Sequence, residues 1–234
     1  MKLNIIMKTS NHKFTCVIPV YNEKERVGNV LDQIVQVKNL SQIIVVDSAS
    51  TDGSADFVKQ NYPQVELIRM AKTLGKTEAV MEGMKIAQGE YILLFDADLT
   101  NVNHDEIDYV LDKIVKNPEI DMVIFSRNTP RLITKLNRFD LIYSGERVLQ
   151  KKDLIEVFKT KPTKFQLEIA INKYMIDNQK NVFYFSSSNV NFPKASKLGR
   201  FSGLIEDLKM FKQVFNYSPK NYFLQTFFFC KNKL

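Results

Sequence analysis

Cysteine and histidine are scarce in this chain of 234 residues, which has two of each. Cys16 and Cys230 lie far apart in sequence, as do His12 and His104, so none of them belongs to a local metal-binding motif. We therefore predict neither a zinc site nor a disulfide framework, and we expect a reducing, cytoplasmic compartment. Long uncharged apolar runs are also missing, which argues against a transmembrane helix. The apolar run at residues 5–7 is too short for a signal peptide.

Basic residues outnumber acidic ones by 33 to 26, which gives a formal net charge of +7. This charge indicates a negatively charged partner, and nucleic acid, anionic lipid and phosphorylated small molecules all qualify. We expect no nucleic-acid binding, because the sequence has no basic face interleaved with stacking aromatic residues. Hydrophobic residues make up 44% of the chain and charged residues 25%, which is typical of a globular protein with a substantial core.

An apolar run that ends in two carboxylates is the most informative segment. Residues 91–95 predict a strand buried on both faces, and Asp96 and Asp98 follow with one alanine between them. Since an unpaired ionised carboxylate is very costly to bury, the strand should end at Asp96. Ligands bind at this carboxyl edge in open α/β sheets. Two carboxylates there suit a divalent cation that also holds phosphate oxygens, although two solvated aspartates after a strand give the same pattern.

Strand and helix patterns alternate through the first half of the chain, which predicts an α/β fold with a mostly parallel sheet. The predicted strands are residues 14–21, 42–47, 65–69, 91–95 and 122–125, and the predicted helices lie around residues 22–35, 57–58, 75–87 and 105–115. Pro19 should end the first strand or lie beside a bulge. Asn22 is a plausible helix cap, and Gly89 should end the third helix.

The second half of the chain is more basic and less regular. We predict a strand or short helix at residues 147–149, a helix from 165 to 175, a strand at 182–185 and an amphipathic helix at 201–217. The expected organisation is a single domain over residues 1–218 and a tail over 219–234. The two halves of this domain are about 14–126 and 127–218.

Four sequence blocks in the first half resemble the nucleotide-sugar glycosyltransferases of the GT-A fold, family 2. These blocks are VIPVYNE (17–23), VVDSASTDG (45–53), GKTEA (75–79) and FDAD (95–98). Each block alone is a weak signal, but the ordered set is specific. The resemblance implies a Rossmann-like, mixed and mostly parallel sheet flanked by helices, and transfer of a hexose from a nucleotide-diphosphate sugar.

The second half looks like the polyprenyl-phosphate (dolichyl-phosphate) hexosyltransferase branch of that family. The match consists of Asp140 followed by SGERVL (144–149), FQLE (165–168), VNF (190–192) and SKLG (196–199). Two positions differ from the branch, which usually has a second aspartate where this chain has Ser48 and often a phenylalanine where it has Glu146. The segment from residue 127 to 140 is also short.

The resemblance implies that residues 14–126 are the nucleotide-binding half and residues 127–218 the acceptor half. For the donor, it implies a UDP- or GDP-sugar. Pro19, Tyr21 and Glu23 match the loop that holds the base and ribose, while Asp47, beside Ser48, matches the position that pairs with the base or ribose. For Tyr21 and Glu23 the alternative is an ordinary entry to a helix.

Phosphate and metal binding are expected at the next two blocks. Lys76 lies at the start of a helix, where backbone N–H groups and a cation both favour phosphate, although a solvated lysine is the alternative. By the resemblance, Asp96 and Asp98 would ligate Mg²⁺ or Mn²⁺, which bridges the diphosphate and stabilises it as it leaves.

A phosphorylated acceptor, possibly lipid-linked, follows from the resemblance and fits the charge. A phosphate monoester is already ionised and needs cations to position it, whereas a sugar hydroxyl needs a general base. Arg127, Arg147 and Lys197 are candidates for that work, and a solvated basic face is the alternative. Glu168 is a buried partner of an arginine or a base, of which we prefer the partner role; it joins Asp98 and the two arginines as a catalytic candidate.

Three alternatives stay open at this point. The aromatic tail beside lysines could lie at a membrane interface, which would make the protein peripheral at the cytoplasmic face, or it could pack on the sheet or in a dimer. The acceptor could be soluble, because the blocks at 47–52 and 75–76 also resemble glucosyl-3-phosphoglycerate synthases, which retain the anomeric configuration. The chain could also be a sugar-nucleotide-binding module without catalysis.

Overall fold

The structure, a computed structural model, describes residues 14–126, 139–162, 167–191, 229–230 and 232–234. The predicted helix at 201–217, most of the predicted tail and the site candidates Arg127 and Lys197 lie outside these ranges. In the part described, no helix combines the length and the apolar character needed to cross a membrane.

Ten strands and seven helices occur within the described ranges. The strands are β1 (Phe14–Val20), β2 (Leu40–Asp47), β3 (Glu66–Arg69), β4 (Tyr91–Leu94), β5 (Leu99–Thr100), β6 (Met122–Ser126), β7 (Arg147–Gln150), β8 (Val182–Ser186), β9 (Val190–Asn191) and β10 (Asn232–Lys233). The helices are α1 (Val27–Ile34), α2 (Ser54–Asn61), α3 (Lys76–Ile86), α4 (His104–Lys116), α5 (Phe139–Ile142), α6 (Lys151–Lys159) and α7 (Leu167–Asp177).

Eight of the strands form one mixed sheet in the order β10-β8-β6-β7-β4-β1-β2-β3. The pairs β1–β2, β1–β4, β2–β3, β6–β8 and β8–β10 are parallel. Strand β7 lies antiparallel between β4 and β6. The predicted α/β fold with a mostly parallel sheet is therefore confirmed. Because β7 runs in the opposite direction, its first residue lies at the edge where β1, β2 and β4 end.

Helices cover both faces of this sheet, as the unbroken apolar runs predict. Successive side chains of a strand point to opposite faces. Ile18 accordingly belongs to a buried cluster with Leu31 of α1 and Val110 of α4, whereas Val17 belongs to a second cluster with Val80 of α3. Helices α6 and α7 contribute to the second cluster. The central strands are thus buried on both sides, and only their ends reach solvent.

Two predicted boundaries in the first half are wrong. Asn22 does not cap α1, which begins at Val27 after a turn in which Asn22 adopts a φ of 54°. The cap prediction failed because the Asn22 side chain binds a neighbouring loop instead. Helix α3 ends at Ile86 with Ala87 as its C-cap, so Gly89 does not end it. The Gly89 amide instead donates to the buried Thr15 hydroxyl, at 2.9 Å.

Pro19 does not end β1, which continues to Val20. Alternate residues of β1 direct their backbone groups to opposite neighbours, and the Val17 carbonyl accepts from the Phe95 amide on the β4 side. The position of the missing Pro19 N–H therefore faces β4, whose pairing with β1 stops at Val17. A proline is tolerated there because it removes no ladder hydrogen bond.

In the second half, residues 147–150 form a strand, which decides between the two predicted alternatives. Helix α6 was not predicted, because its basic first residues resembled a solvated stretch. The tail residues Asn232 and Lys233 form the edge strand β10, which pairs with β8, so this part of the tail joins the sheet.

A cluster of charged side chains fixes α6 and the end of α7 at the edge opposite the strand ends. The Lys180 ammonium lies 3.1 Å from Asp121 Oδ1 and 3.1 Å from Asp153 Oδ2. The Tyr174 hydroxyl donates to Asp153 Oδ1 at 3.1 Å. Burial disfavours ionisation of the Tyr174 hydroxyl and raises its pKa, and the negative charge of Asp153 raises it further. This cluster orients α7, which carries Glu168 at its other end.

Helix α3 approaches β1 and β2 closely at Gly83. A Cβ atom at this glycine would lie 2.7 Å from Val17 Cγ1 and 3.2 Å from Val46 Cγ2, and both valines are completely buried. Close packing leaves neither side chain space to move away. Gly83 therefore sets the distance between α3 and the sheet.

We predict that Gly83→Ala lowers the free energy of unfolding by roughly 1–2 kcal/mol, because overpacking of about 1–3 kcal/mol exceeds the gain in helix propensity of about 1 kcal/mol. Urea denaturation measures this change. Lys85→Ala, at an exposed position of the same helix, is the control and should stay within about 0.5 kcal/mol of the wild type. A Gly83→Ala protein as stable as the wild type would show that α3 is not tightly packed here.

Candidate functional site

Three predicted site residues, Pro19, Asp47 and Asp96, lie at the edge of the sheet where β1, β2 and β4 end. Val20 pairs with Asp47, and Val17 pairs with Leu94. Asp96 follows Leu94 by two positions and so lies near the level of Pro19. Since neighbouring strands are about 4.8 Å apart, Asp47 and Asp96 lie on either side of β1 and roughly 10 Å from each other.

Two loops at this edge are joined by hydrogen bonds between side chains and backbone. The Asn22 amide donates to Ser50 Oγ at 2.9 Å, and the Thr51 amide donates back to Asn22 Oδ1 at 2.9 Å. Asn22 and Ala49 both have positive φ angles, of 54° and 59°. Such angles cost energy outside glycine and persist only where the surroundings enforce them. The reciprocal bonds provide that constraint.

Further along the second loop, the side chains of Asp52 and Ser54 accept hydrogen bonds from backbone amides of the first loop. The Lys24 amide donates to Asp52 Oδ2 and the Glu23 amide to Ser54 Oγ, both at 3.0 Å. Partial burial acts to raise the pKa of Asp52, but the hydrogen bonds from the Ser54 hydroxyl and from the Lys24 and Ser54 amides lower it overall. Gly53, between them, has a φ of 87° that favours glycine.

Asp47 is the buried carboxylate of this pair of loops. Its side chain is 3% exposed, and its Oδ2 accepts from the Ser50 amide at 3.1 Å. Its Oδ1 is buried and has no hydrogen-bond partner among the residues that the structure describes. The neighbouring Ser48 is also buried, with its hydroxyl 3.4 Å from Thr73 Oγ1. Asp47 therefore presents an acceptor that the described protein leaves unsatisfied.

The other predicted residues of the first loop surround this position. Pro19 is half-buried in β1, and the Tyr21 side chain is 50% exposed. Glu23 forms an ion pair with Arg26, and its backbone carbonyl accepts from the amides of Arg26 and Val27. Tyr21 thus offers an accessible aromatic face, whereas the Glu23 carboxylate already has a cation beside it.

Lys76 begins α3 and reaches two carboxylates. Its Nζ lies 2.5 Å from Asp96 Oδ1 and 2.7 Å from Glu168 Oε1. The side chain is 21% exposed; burial acts to lower the pKa of its ammonium, but the two carboxylates outweigh this effect and raise the pKa. Gly75 before it has φ 107° and ψ 175°, a conformation open almost only to glycine. The Glu168 carboxylate thus pairs with the partly buried Lys76, whereas the sequence had suggested an arginine as its partner.

Gly145 covers the Lys76–Asp96 ion pair. A Cβ atom at Gly145 would lie 2.5 Å from Asp96 Oδ2 and 2.5 Å from Lys76 Nζ. This position therefore admits no side chain unless the ion pair moves. The contact of this turn with the two charged groups was not predicted from the sequence.

Arg147 holds this turn from within the core. Its side chain is 0% exposed, and its guanidinium donates to the Ser144 carbonyl and, at 2.9 Å, to Asn172 Oδ1. A third contact joins its NH1 to the Glu168 carbonyl at 3.4 Å. The described contacts of Arg147 are thus with the turn and with α7. Its predicted role as a phosphate contact stays a prediction.

Asp98 lies half-buried just before the short strand β5. Strand β5 pairs with β9 through Leu99–Asn191 and Thr100–Val190. This pairing brings the VN residues of the second half beside Asp98. The two halves therefore meet at the acidic pair.

Asp96 and Asp98 supply the kind of donors that Mg²⁺ and Mn²⁺ prefer. The described residues contain no group of three or more His, Cys, Asp or Glu side chains that could hold a metal ion. Mg²⁺ commonly uses only one or two carboxylates and completes its shell with water and substrate phosphates. Two oxygen donors at a ligand-binding edge fit that pattern, with Asp96 Oδ1 at present beside the Lys76 ammonium.

Several residues that shape the site were not predicted as functional. They are Asn22, Ser50, Asp52 and Ser54, which join the two loops, and Gly145, which covers the ion pair. Asn22 lies in the block VIPVYNE, Ser50 and Asp52 lie in VVDSASTDG, and Ser54 follows that block directly. The abundance of short polar side chains, which often bind the backbone of nearby turns, was the available signal. Nothing local to Gly145 indicated its contact.

Proteins with similar sequences include two dolichyl-phosphate beta-glucosyltransferases. The protein of Trichomonas vaginalis is 35% identical over 96 residues, which cover 36% of this chain and 28% of the relative. That of Dictyostelium discoideum is 28% identical over 134 residues, covering 50% and 41%. A poly(ribitol-phosphate) beta-glucosyltransferase of Bacillus spizizenii is 39% identical over 93 residues, covering 37% and 15%. This chain spans less than half the length of each.

A glucosyl-3-phosphoglycerate synthase from Mycobacterium tuberculosis has a similar structure. Its complex with Mn²⁺, UDP and glucosyl-3-phosphoglycerate matches with a TM-score of 0.64 at 17% identity, over 77% of this chain and 72% of that chain. The likeness shows a shared fold and confirms the GT-A prediction. The family model described as Glycosyl transferase family 2 matches residues 15–190. This chain therefore belongs to glycosyl transferase family 2.

Proposed function

We propose that this chain transfers a hexose from a UDP- or GDP-sugar to a phosphorylated acceptor, with Mg²⁺ or Mn²⁺ bound by Asp96 and Asp98. The observation that carries the proposal is the buried Asp47 carboxylate, whose Oδ1 has no partner among the described residues. A buried acceptor without a hydrogen bond is costly, and a base or ribose donor group would satisfy it.

The positions of the remaining charged groups support a nucleotide diphosphate. The Lys76 ammonium and the first turn of α3 lie on the other side of β1 from Asp47, next to Asp96. Helix N-termini and ammonium groups both favour phosphate. A nucleotide across the end of β1 would therefore place its base at Asp47 and its phosphates at Lys76. Tyr21, which is 50% exposed, is available to contact the base.

A polyprenyl phosphate is the leading acceptor. The relatives from Trichomonas vaginalis and Dictyostelium discoideum are named for transfer to dolichyl phosphate. A soluble phosphorylated acceptor is the second candidate, because the similar Mycobacterium tuberculosis structures include complexes with phosphoglyceric acid. Both acceptors carry a phosphate group, for which the net charge of +7 is favourable. With a lipid acceptor, the protein would contact the cytoplasmic face of a membrane peripherally.

Transfer would follow an in-line displacement with inversion. An acceptor phosphate oxygen attacks the anomeric carbon, the bond from that carbon to the diphosphate oxygen breaks, and the nucleoside diphosphate leaves with the electron pair. The ionised acceptor needs no general base. Lys76 would orient the diphosphate, and Asp96 and Asp98 would hold a divalent cation that neutralises its charge. Arg127 and Lys197 are candidates for binding the acceptor phosphate.

We predict that Mn²⁺ together with UDP or GDP stabilises the wild-type protein, by about 2.7 kcal/mol when the ligand is a hundredfold above its dissociation constant. A thermal-shift series with each component alone and together measures this. Asp98→Asn should abolish the metal-dependent part of the shift, because one of the two oxygen-donor carboxylates is then neutral.

Glu119→Gln is the matched control, since Glu119 is exposed just before β6, at the edge opposite the strand ends. It should respond to metal and nucleotide as the wild type does. A wild type that responds to neither UDP nor GDP, with or without Mn²⁺, would contradict the proposed donor site. Binding without any turnover of sugar nucleotide would favour the non-catalytic binding module.

We predict opposite effects of Asp47→Asn on stability and on binding. Without ligand the variant should be at least as stable as the wild type, because an amide is less costly to bury than a carboxylate and can still accept from the Ser50 amide. Nucleotide affinity should fall about 10–100-fold, the equivalent of one hydrogen bond to a charged group. Chemical denaturation and nucleotide titration measure the two effects. Loss of stability with unchanged affinity would show that Asp47 is purely structural.

We predict an inverted product from an incubation with polyprenyl phosphate. An α-linked donor sugar should give a β-linked product, because a single displacement inverts the anomeric carbon, and the anomeric proton coupling in an NMR spectrum distinguishes the two. A parallel incubation with 3-phosphoglycerate tests the soluble acceptor. Turnover of that acceptor alone, with retention, would replace the lipid-linked proposal by the second candidate.

A further inference from the structure

We propose that Lys76 is a tethered cation that occupies the metal-binding carboxylate Asp96 until a diphosphate arrives, and that Glu168 is the positioning residue that holds it. The inference rests on the proposed function, since it concerns the same metal site. It adds that Lys76 and the divalent cation compete for Asp96, and that a residue of the acceptor half sets this competition.

The Lys76 ammonium lies 2.5 Å from Asp96 Oδ1. On the other oxygen, the turn at Gly145 packs so closely that a Cβ built there would lie 2.5 Å from Oδ2. The three charged side chains, Lys76, Asp96 and Glu168, are 21%, 20% and 12% exposed. Limited contact with water leaves their charges weakly screened. A cation approaching Asp96 Oδ1 therefore meets an ammonium already there.

A diphosphate resolves this competition. Without it, a divalent cation at Asp96 would share one carboxylate with the ammonium, and the two positive charges would repel each other. The phosphates bring several negative charges, which the ammonium can bind from its place in the first turn of α3. Lys76 would then move from carboxylate to phosphate, and its ammonium would no longer compete with the metal for Asp96 Oδ1. Metal binding thereby becomes dependent on nucleotide.

Glu168 keeps Lys76 within reach in both states. Its carboxylate accepts from Lys76 Nζ at 2.7 Å, and its backbone carbonyl is 3.4 Å from NH1 of the buried Arg147. Arg147 also binds the Ser144 carbonyl and Asn172, so α7 and the turn over the ion pair are held together. The helix end that carries Glu168 is thus anchored to the same turn that covers Asp96.

A variant that preserves net charge tests the inference. Lys76→Gln/Glu168→Gln removes one positive and one negative charge, so the overall charge of the group is unchanged while Asp96 loses its ammonium partner. Mn²⁺ binding without nucleotide, measured from the electron paramagnetic resonance signal of free Mn²⁺, should become about tenfold tighter or more, since a hydrogen bond between charged groups is worth at least that factor. The single variant Lys76→Gln should show at least the same gain, because Glu168 keeps its negative charge, together with weaker UDP or GDP binding.

Adding Asp96→Asn to the double variant should remove the gain in Mn²⁺ affinity, because the carboxylate for which Lys76 competed is then absent. In the Lys76→Gln background, Glu168→Gln should lower Mn²⁺ affinity only to the small extent expected from removing a nearby negative charge; a loss as large as that caused by Asp96→Asn would make Glu168 a direct metal ligand and overturn its positioning role. Glu119→Gln controls for a surface carboxylate, and a melting curve confirms that each variant folds.

The outcomes separate this inference from the proposed function. If the wild type binds Mn²⁺ with UDP or GDP and the double variant shows no gain without nucleotide, the competition is overturned and the proposed function stands. If the wild type binds no Mn²⁺ with either nucleotide, both fall. A general structural defect cannot mimic the expected result, because it would weaken metal binding rather than tighten it.

Discussion

One ammonium group between two carboxylates connects the parts of this molecule that form the site. Lys76 begins α3, Asp96 follows β4 and Glu168 lies in α7, so three elements from both halves of the chain converge on a single charge. Each carboxylate would be costly to bury alone. The ammonium makes their burial tolerable, and Gly145 allows the turn before β7 to cover the pair. The second half of the chain is therefore attached to the first half by electrostatics as well as by the shared sheet.

The fold of the first half could be predicted because each strand is buried on both faces and appears as an unbroken apolar run. The run 91–95 and the following acidic pair, for example, correspond to β4 and the end of its pairing. The second half was harder, since a four-residue strand such as β7 has no periodicity of its own, and its antiparallel place between β4 and β6 is decided by tertiary pairing. Helix α6 shows the same limit, because its basic first turn conceals the buried Leu154 and Val157.

Site residues were predictable where the covalent chain itself places them at the edge. Asp47 and Asp96 end or follow strands, and the parallel sheet brings them there without further information. Contacts between distant segments were not predictable in this way. The exchange between Asn22 and the Ser50 loop uses residues about 28 positions apart, and a local interpretation assigned Asn22 to a helix cap. Several residues of the family motif consequently join the two loops to each other.

Arg147 shows why net charge alone says little about the acceptor. It belongs to the basic stretch that suggested phosphate binding, yet it is 0% exposed and its described hydrogen bonds go to a turn and to α7. A buried guanidinium needs such partners, because an unpaired charge in the core is prohibitively costly. Part of the positive charge is thus structural, since Arg147 pairs with a turn and a helix and Lys76 pairs with two carboxylates. A basic residue that already has such partners is less available to a phosphate group. The position of a basic residue in the fold, rather than the number of basic residues, therefore decides whether it can bind phosphate.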